Sequence, residues 1–271
     1  MIHEIIYLKD HFKNINTAAN LTTYCPLNYP YSKGRKRKVM LIIPGGGYSH
    51  VAEREAEPIA LNLLQNDIAC FILRYTIAPF EEPTPLDEVY ASLIFIRRNA
   101  EKYNIDIDKI GVIGFSAGGH LAASCAAYEN DPYYAELLCA EQKELKTNIL
   151  CLSYPVITMK EASHVGTRLE RTHGNLELIN KYSIEDHITP AFPKTFIWLT
   201  STDTSVPPEN SILLASNLLK NNVTCELHMY PMGPHGLSLA NKITREGTML
   251  EEYPVVNTWI KHCLDFINLY L

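Results

Sequence analysis

From residue 38 onward the chain alternates short apolar runs with longer segments of helical period. The runs at 39–43, 69–75, 110–115, 149–154, 195–200 and 225–230 are rich in branched and aromatic residues and poor in charge. Runs of that kind suit strands buried on both faces. Between them, segments 58–65, 86–103, 117–128, 208–221 and 255–269 predict helices. Pro58 and Pro208 suit a first helical turn, where a missing N–H leaves no acceptor unserved. Near the start, 5–8 and 21–24 read as antiparallel edge strands. Strands alternating with helices in this way predict an α/β fold: a mostly parallel central sheet of about eight strands with helices on both faces.

Two stretches break the alternation. Residues 130–146 and 159–193 are polar, His-rich and bounded by proline, and are expected to form partly helical excursions that shape a pocket. No linker, repeat or low-complexity tract divides the rest, so 1–271 is expected to be a single α/β domain.

Charge and cysteine content narrow the function class. A formal net charge of -6 offers no general attraction to nucleic acid or an anionic membrane, and small neutral substrates fit better. The basic cluster Lys33, Arg35, Lys36, Arg37 and Lys38 reads as a solvated loop between strands. Seven cysteines form an odd set without C-x-x-C, which suits free thiols in a reducing cytoplasm. The first residues carry no basic stretch followed by a long apolar one, and no run approaches the roughly 18 apolar residues of a membrane span. Neither a signal peptide nor a membrane span is expected. A homo-oligomer is allowed by the sequence but not specified by it.

The sharpest chemical signal is Gly114-Phe115-Ser116-Ala117-Gly118, lying between an apolar strand and an alanine-rich helix. A serine there occupies a tight strand-to-helix turn, which needs small residues on either side so that strand and helix can approach. Ser116 is the candidate nucleophile. The turn also sets it at a helix N-terminus, where the dipole and the free Ala117 N–H favour developing negative charge.

A second donor to that charge is expected from Pro44-Gly45-Gly46-Gly47-Tyr48, which follows the run at 39–43 and is similar to an HGGG-type loop with Pro44 in the histidine position. Gly46 and then Gly45 are the candidate oxyanion donors, and Tyr48 is a candidate substrate contact. A phosphate-binding loop is the other reading, but no lysine follows at the required spacing.

Chain order after such an elbow is serine, acid, histidine. His235, in the turn Gly233-Pro234-His235-Gly236 after the last strand, is the candidate base. Asp203, just beyond the strand at 195–200, is the candidate acid, with Asp186 as a competitor inside the second excursion. Of the other late histidines, His164, His173 and His187 lack a strand end to position them, His228 falls in a strand and His262 in the final helix. His120, next to the elbow glycines, is expected to pack or hydrogen-bond within its helix. None makes a metal-ligand spacing, so neither a metal nor a cofactor is expected.

With these residues the chain resembles the single-domain acetyl-xylan esterase and acetylesterase-like branch of the α/β-hydrolases. The likeness runs from about residue 40 to 240. It is carried by the two glycine motifs, Arg54-Glu55-Ala56-Glu57-Pro58, Leu73-Arg74-Tyr75, Ala78-Pro79, Gly119-His120-Leu121-Ala122, Ser153-Tyr154-Pro155-Val156-Ile157, Asp203 with Val206-Pro207 and Asn210-Ser211, and the His235 turn. It implies a cytoplasmic esterase that removes acetyl or other short acyl groups from sugars or similar alcohols, with Ser116, Asp203 and His235 as triad. Where relatives often carry a second acid near Asp203, this chain has Thr202 and Thr204. Two further readings compete. A small serine peptidase similar to the catalytic domain of prolyl oligopeptidases would need room for a propeller and an acidic pair for a peptide amino terminus, and neither is evident. A non-catalytic binding module on the same scaffold would be expected to have lost a triad member, and here all are present.

Overall fold

The computed structural model describes residues 1–29, 34–245 and 253–271. Its strands are β1 (Ile5–Tyr7), β2 (Asn20–Tyr24), β3 (Arg37–Ile43), β4 (Ala69–Arg74), β5 (Ile105–Phe115), β6 (Ile149–Ser153), β7 (Lys194–Thr200) and β8 (Cys225–Tyr230). They form one eight-stranded sheet in the order β1-β2-β4-β3-β5-β6-β7-β8. Pairings β1/β2 and β2/β4 are antiparallel, as the edge runs predicted, and the remaining neighbours are parallel.

Ten α-helices connect or flank the strands: α1 (Glu57–Leu64), α2 (Thr84–Arg98), α3 (Ala100–Tyr103), α4 (Ala117–Ala127), α5 (Pro132–Leu137), α6 (Val165–Thr172), α7 (Leu176–Lys181), α8 (Glu209–Lys220), α9 (Pro254–Asn257) and α10 (Trp259–Tyr270), among the described residues. Side chains alternate across the sheet with the two-residue period of a strand. Val39, Leu41 and Ile43 of β3 join one core with Leu86, Val89 and Leu93 of α2, Leu121 of α4 and Leu214 and Leu218 of α8. Met40 and Ile42 join the opposite core, with Ile59 and Leu63 of α1 and Trp259, Ile260 and Phe266 of α10. Because both faces are covered, nearly every position of the central strands is buried, which is why their sequences read as continuous apolar runs.

Several boundaries moved for identifiable reasons. Strand β5 begins five residues before the apolar run, because buried Ile105 already pairs with Arg37, and a largely exposed stretch at 106–109 separates that pair from the register that resumes at Ile110. The helix expected over 86–103 divides at Asn99, whose Nδ2 donates to the Phe95 carbonyl. The last helix divides at Thr258, whose hydroxyl donates to the Val255 carbonyl. Pro208 sits one residue before α8 rather than inside its first turn.

The basic cluster is a correction in part: Arg35 and Lys36 lie exposed in the loop before β3, as expected. Arg37 and Lys38 lie in β3, and Arg37 is buried, its Nε 2.6 Å from Asp67 Oδ1 while Arg35 reaches Asp67 Oδ2 at 2.8 Å. Lys33 lies outside the described residues. The excursions are partly helical as expected: α5 fills part of the first, and α6 and α7 part of the second, each started by a side-chain cap from Asp131, His164 or Asn175. All seven cysteines are unpaired thiols. Among the described residues no helix is long and apolar enough to cross a membrane.

Candidate active site

The parallel register brings four strand ends to one edge. Ile42 and Ile43 of β3 pair with Ile113 and Gly114 of β5, so the glycine loop after β3 lies level with the turn after β5. Ligands of open α/β sheets bind at such carboxyl ends. Ser116 occupies the turn between β5 and α4 at φ 52°, ψ -119°, a strained conformation for a residue with a side chain. It is held there by its N–H donating to the Ser153 carbonyl and by its own carbonyl accepting from His120 and Val156. Gly118 permits the close approach: a Cβ there would lie 2.2 Å from the Ile43 carbonyl oxygen and 2.3 Å from that of Pro44.

The structure brings Ser116, His235 and Asp203 into one chain of contacts. His235 Nε2 lies 2.8 Å from Ser116 Oγ, and His235 Nδ1 lies 2.6 Å from Asp203 Oδ2. The Asp203 carboxylate is 2 % exposed, and its second oxygen accepts the N–H groups of Ser205 and Val206. A carboxylate so held fixes the imidazole tautomer with the proton on Nδ1 and leaves Nε2 to accept from the serine. Thr202, one of the two threonines beside the acid, pins the acid loop to the base loop. Its hydroxyl accepts the Gly233 N–H at 2.9 Å, and Thr200 donates to the Gly233 carbonyl at 2.8 Å. Asp186 is elsewhere, exposed and paired with Lys160 at 2.5 Å.

The glycine loop separates its candidates. The Gly45 N–H donates to Glu55 Oε2 at 2.8 Å, so it is committed inside the protein and is no oxyanion donor, a correction to the sequence reading. Gly46 and Ala117 differ: among the described residues neither N–H has a protein acceptor. Gly46 sits at φ 124°, and a Cβ there would lie 2.0 Å from the His50 carbonyl oxygen, so the bend that presents this amide needs glycine.

Tyr48 is the second correction. It is fully buried, with its ring packed against Tyr75 and Phe80, and it does not line the cavity. Its role is structural. The Tyr48 hydroxyl meets His120 Nδ1 at 2.8 Å, and His120 Nε2 lies 2.8 Å from the Tyr182 carbonyl. Because a carbonyl only accepts, the proton sits on Nε2, and Nδ1 accepts from the tyrosine. The relay ties the glycine loop, the elbow helix and the second excursion together.

Burial pushes the His120 imidazole down to about 3 from 6.5. An unfolded chain takes up a proton near pH 6.5 that the folded chain refuses until about pH 3, so this group withdraws stability as pH falls through that window. His120→Gln, which keeps a donor and an acceptor, is therefore expected to lose less stability than wild type between pH 7 and pH 5. The slope removed is up to about 1.4 kcal/mol per pH unit, read from urea midpoints. Equal acid losses in both proteins would contradict this account.

Three residues that sequence reasoning left without a role complete the site. Glu55, 1 % exposed, accepts from both Gly45 and the Tyr154 hydroxyl. Tyr154 accepts the Ser238 N–H and packs edge-on against the His235 ring, with centroids 5.0 Å apart. Burial and the Glu55 carboxylate hold its phenol well above the usual range, so it remains a donor. This pair braces the oxyanion loop and the base loop through one carboxylate. His164, from the second excursion, lines the cavity directly. The cavity measures about 210 Å³ and is bordered by Gly46, Gly47, Ser49, His50, Arg54, Ser116, His164, Ser205 and His235, among others.

An eight-stranded, mostly parallel sheet with a serine, histidine and aspartate joined at its strand ends defines an α/β-hydrolase. Residues 26–218 match the BD-FAE family, and the chain belongs to it, among acetyl-xylan esterase-like proteins. It is 34% identical over 242 residues to endo-1,4-beta-xylanase B of Butyrivibrio fibrisolvens, covering 85% of this chain and 37% of that protein. It is 28% identical over 230 residues to an acetylxylan esterase of Xylanibacter ruminicola, covering 81% and 44%. The chain thus spans less than half the length of either relative. Among solved structures, an acetyl ester-xyloside bifunctional hydrolase from Caldicellulosiruptor lactoaceticus superposes with a TM-score of 0.82 at 32% identity, over 98% of this chain and 96% of that one. The carboxylesterase Cest-2923 of Lactobacillus plantarum, at 24% identity and a TM-score of 0.87 over 99% and 98%, shares the fold.

Proposed function

We propose that the chain is a serine carboxylic-ester hydrolase that removes acetyl or other short acyl groups from sugars or similar alcohols. The observation that carries this reading is the unbroken contact chain from Asp203 through His235 to Ser116, ending beside two uncommitted amides. His235 Nε2 takes the Ser116 hydroxyl proton as Oγ attacks the ester carbonyl, and the Gly46 and Ala117 N–H groups receive the resulting oxyanion. Collapse expels the alcohol, which leaves with the proton from His235. A water then attacks the acyl-serine, giving its proton to the same nitrogen; as the acyl–Oγ bond breaks His235 returns that proton to Ser116 Oγ, and the carboxylic acid departs.

The substrate class rests on cavity size and lining, and on relatives named for acetylated xylan and xylosides. About 210 Å³ bordered largely by serines, histidines and an arginine suits an acetyl group with a polar alcohol, and is small beside the pockets that bury larger ligands. Seven unpaired cysteines favour a reducing, cytoplasmic setting.

The test is turnover across p-nitrophenyl esters of increasing acyl length, with a fluorophosphonate probe as a parallel label for Ser116. Rates are expected to fall sharply beyond acetyl, and the label to reach one group per chain. A long-chain optimum would overturn the acyl assignment, and an unlabelled Ser116 would overturn the serine mechanism.

A further inference from the structure

His164 enters the cavity from an excursion that gave no sign of it in sequence. It precedes α6 as its N-cap, and its Nδ1 accepts the Thr167 N–H at 3.1 Å, with the Thr167 hydroxyl 2.9 Å away. A backbone N–H only donates, so Nδ1 is an acceptor and the neutral ring carries its proton on Nε2. Among the described residues that Nε2 has no protein partner, although the ring borders the cavity. Burial, and then the nearby His235, lower its basicity, which keeps the ring neutral at physiological pH.

Its position selects one side of the substrate. A Cβ at Gly47, in the glycine loop, would lie 3.9 Å from His164 Cε1, so the ring stands across the cavity against the oxyanion loop. It borders the same cavity as His235 and Ser205, the residues of the base loop and the acid loop that face it. The leaving alcohol must depart on the face of the base, because that base returns the proton to its oxygen. A fixed N–H donor on the cavity that the base also lines therefore meets the alcohol portion of the ester rather than its acyl portion.

We propose that His164 is a specificity residue for the alcohol: its Nε2–H donates to a hydroxyl or ring oxygen neighbouring the esterified one, favouring polyhydroxylated alcohols such as sugars over plain aryl alcohols. This inference rests on the esterase reading above and names what that site recognises.

His164→Asn separates the two jobs of the ring. The Asn side chain caps a helix well and can accept the Thr167 N–H, but its Nδ2 donor is too short to reach where the imidazole Nε2 stands. The assay compares wild type, His164→Asn and His164→Ala on a mono-O-acetyl methyl xyloside and on p-nitrophenyl acetate, with KM and kcat read separately. His164→Asn is expected to raise KM for the sugar ester about fivefold, the factor a neutral hydrogen bond commonly carries, so that kcat/KM for the sugar ester falls about fivefold relative to that for p-nitrophenyl acetate. An unchanged ratio between the two substrates, or equal losses on both, overturns the proposal. Loss on both substrates in His164→Ala alone, with His164→Asn like wild type, assigns the residue to helix capping and overturns it too. A wild type active on both esters with His164→Asn unchanged defeats this inference alone. A wild type inactive on both defeats the esterase reading as well.

Discussion

Ser116→Ala is expected to lower ester turnover by about 10³- to 10⁶-fold while the thermal midpoint stays within a few degrees of wild type. The hydroxyl is the only atom removed, and no backbone hydrogen bond at the elbow depends on it: Ser116 N–H still reaches Ser153, and its carbonyl still accepts from His120 and Val156. Folding should survive because the elbow is held by backbone contacts and by the close seat of Gly118 under β3. Residual rate would come from the Gly46 and Ala117 donors and from binding alone. In the proposed mechanism Ser116 and His235 act through one proton transfer, so Ser116→Ala with His235→Ala should cost little more than either change alone. Additive losses, or turnover of Ser116→Ala within about tenfold of wild type, would remove Ser116 from the mechanism.

What could be read from sequence and what could not divides along contact range. Ser116, Asp203 and His235 were each legible because each sits in a short motif at a strand end, and the parallel sheet gathers strand ends without further instruction. The sheet itself was legible for a related reason: strands covered on both faces leave unbroken apolar runs. The choice between Gly45 and Gly46 was not. Three consecutive glycines look alike until Glu55, ten residues on, engages one amide. Nor does a motif reveal that Tyr48, at φ 65°, turns its ring into the core. Tyr154 and His164 were hidden for the same reason, since the partner of Tyr154 lies 99 residues away and His164 reaches the cavity only through the placement of its excursion. Their local sequence shows only a tyrosine after a strand and a histidine in a polar stretch.

Arg171→Met is expected to destabilise the protein by about 3–5 kcal/mol, a fall of roughly 10 °C in thermal midpoint, and to do so more at pH 8 than at pH 5. Arg171 is wholly buried, with Nη1 2.7 Å from Glu82 Oε1 and its guanidinium 3.9 Å from the Tyr182 ring centroid, 5.2 Å from Tyr48 and 5.6 Å from Phe80. None of its nitrogens makes an aligned hydrogen bond among the described residues, so charge and ring stacking hold it. Burial raises the Glu82 and Asp87 carboxyls, Asp87 to about 7, and Arg171 pulls both back down. A buried acid with a raised folded value loses stability as pH climbs from its unfolded value through its folded one. Without Arg171 both folded values rise further, and that loss extends to higher pH. At pH 5 the two carboxyls take up protons and much of the penalty disappears. At pH 8 they must ionise unpaired, or hold protons against the solution. Methionine keeps most of the apolar stem, so a pH-independent loss would point to packing instead and contradict the charge account. Adding Glu82→Gln and Asp87→Asn should restore most of the stability at pH 8, because no buried charge would then lack its partner.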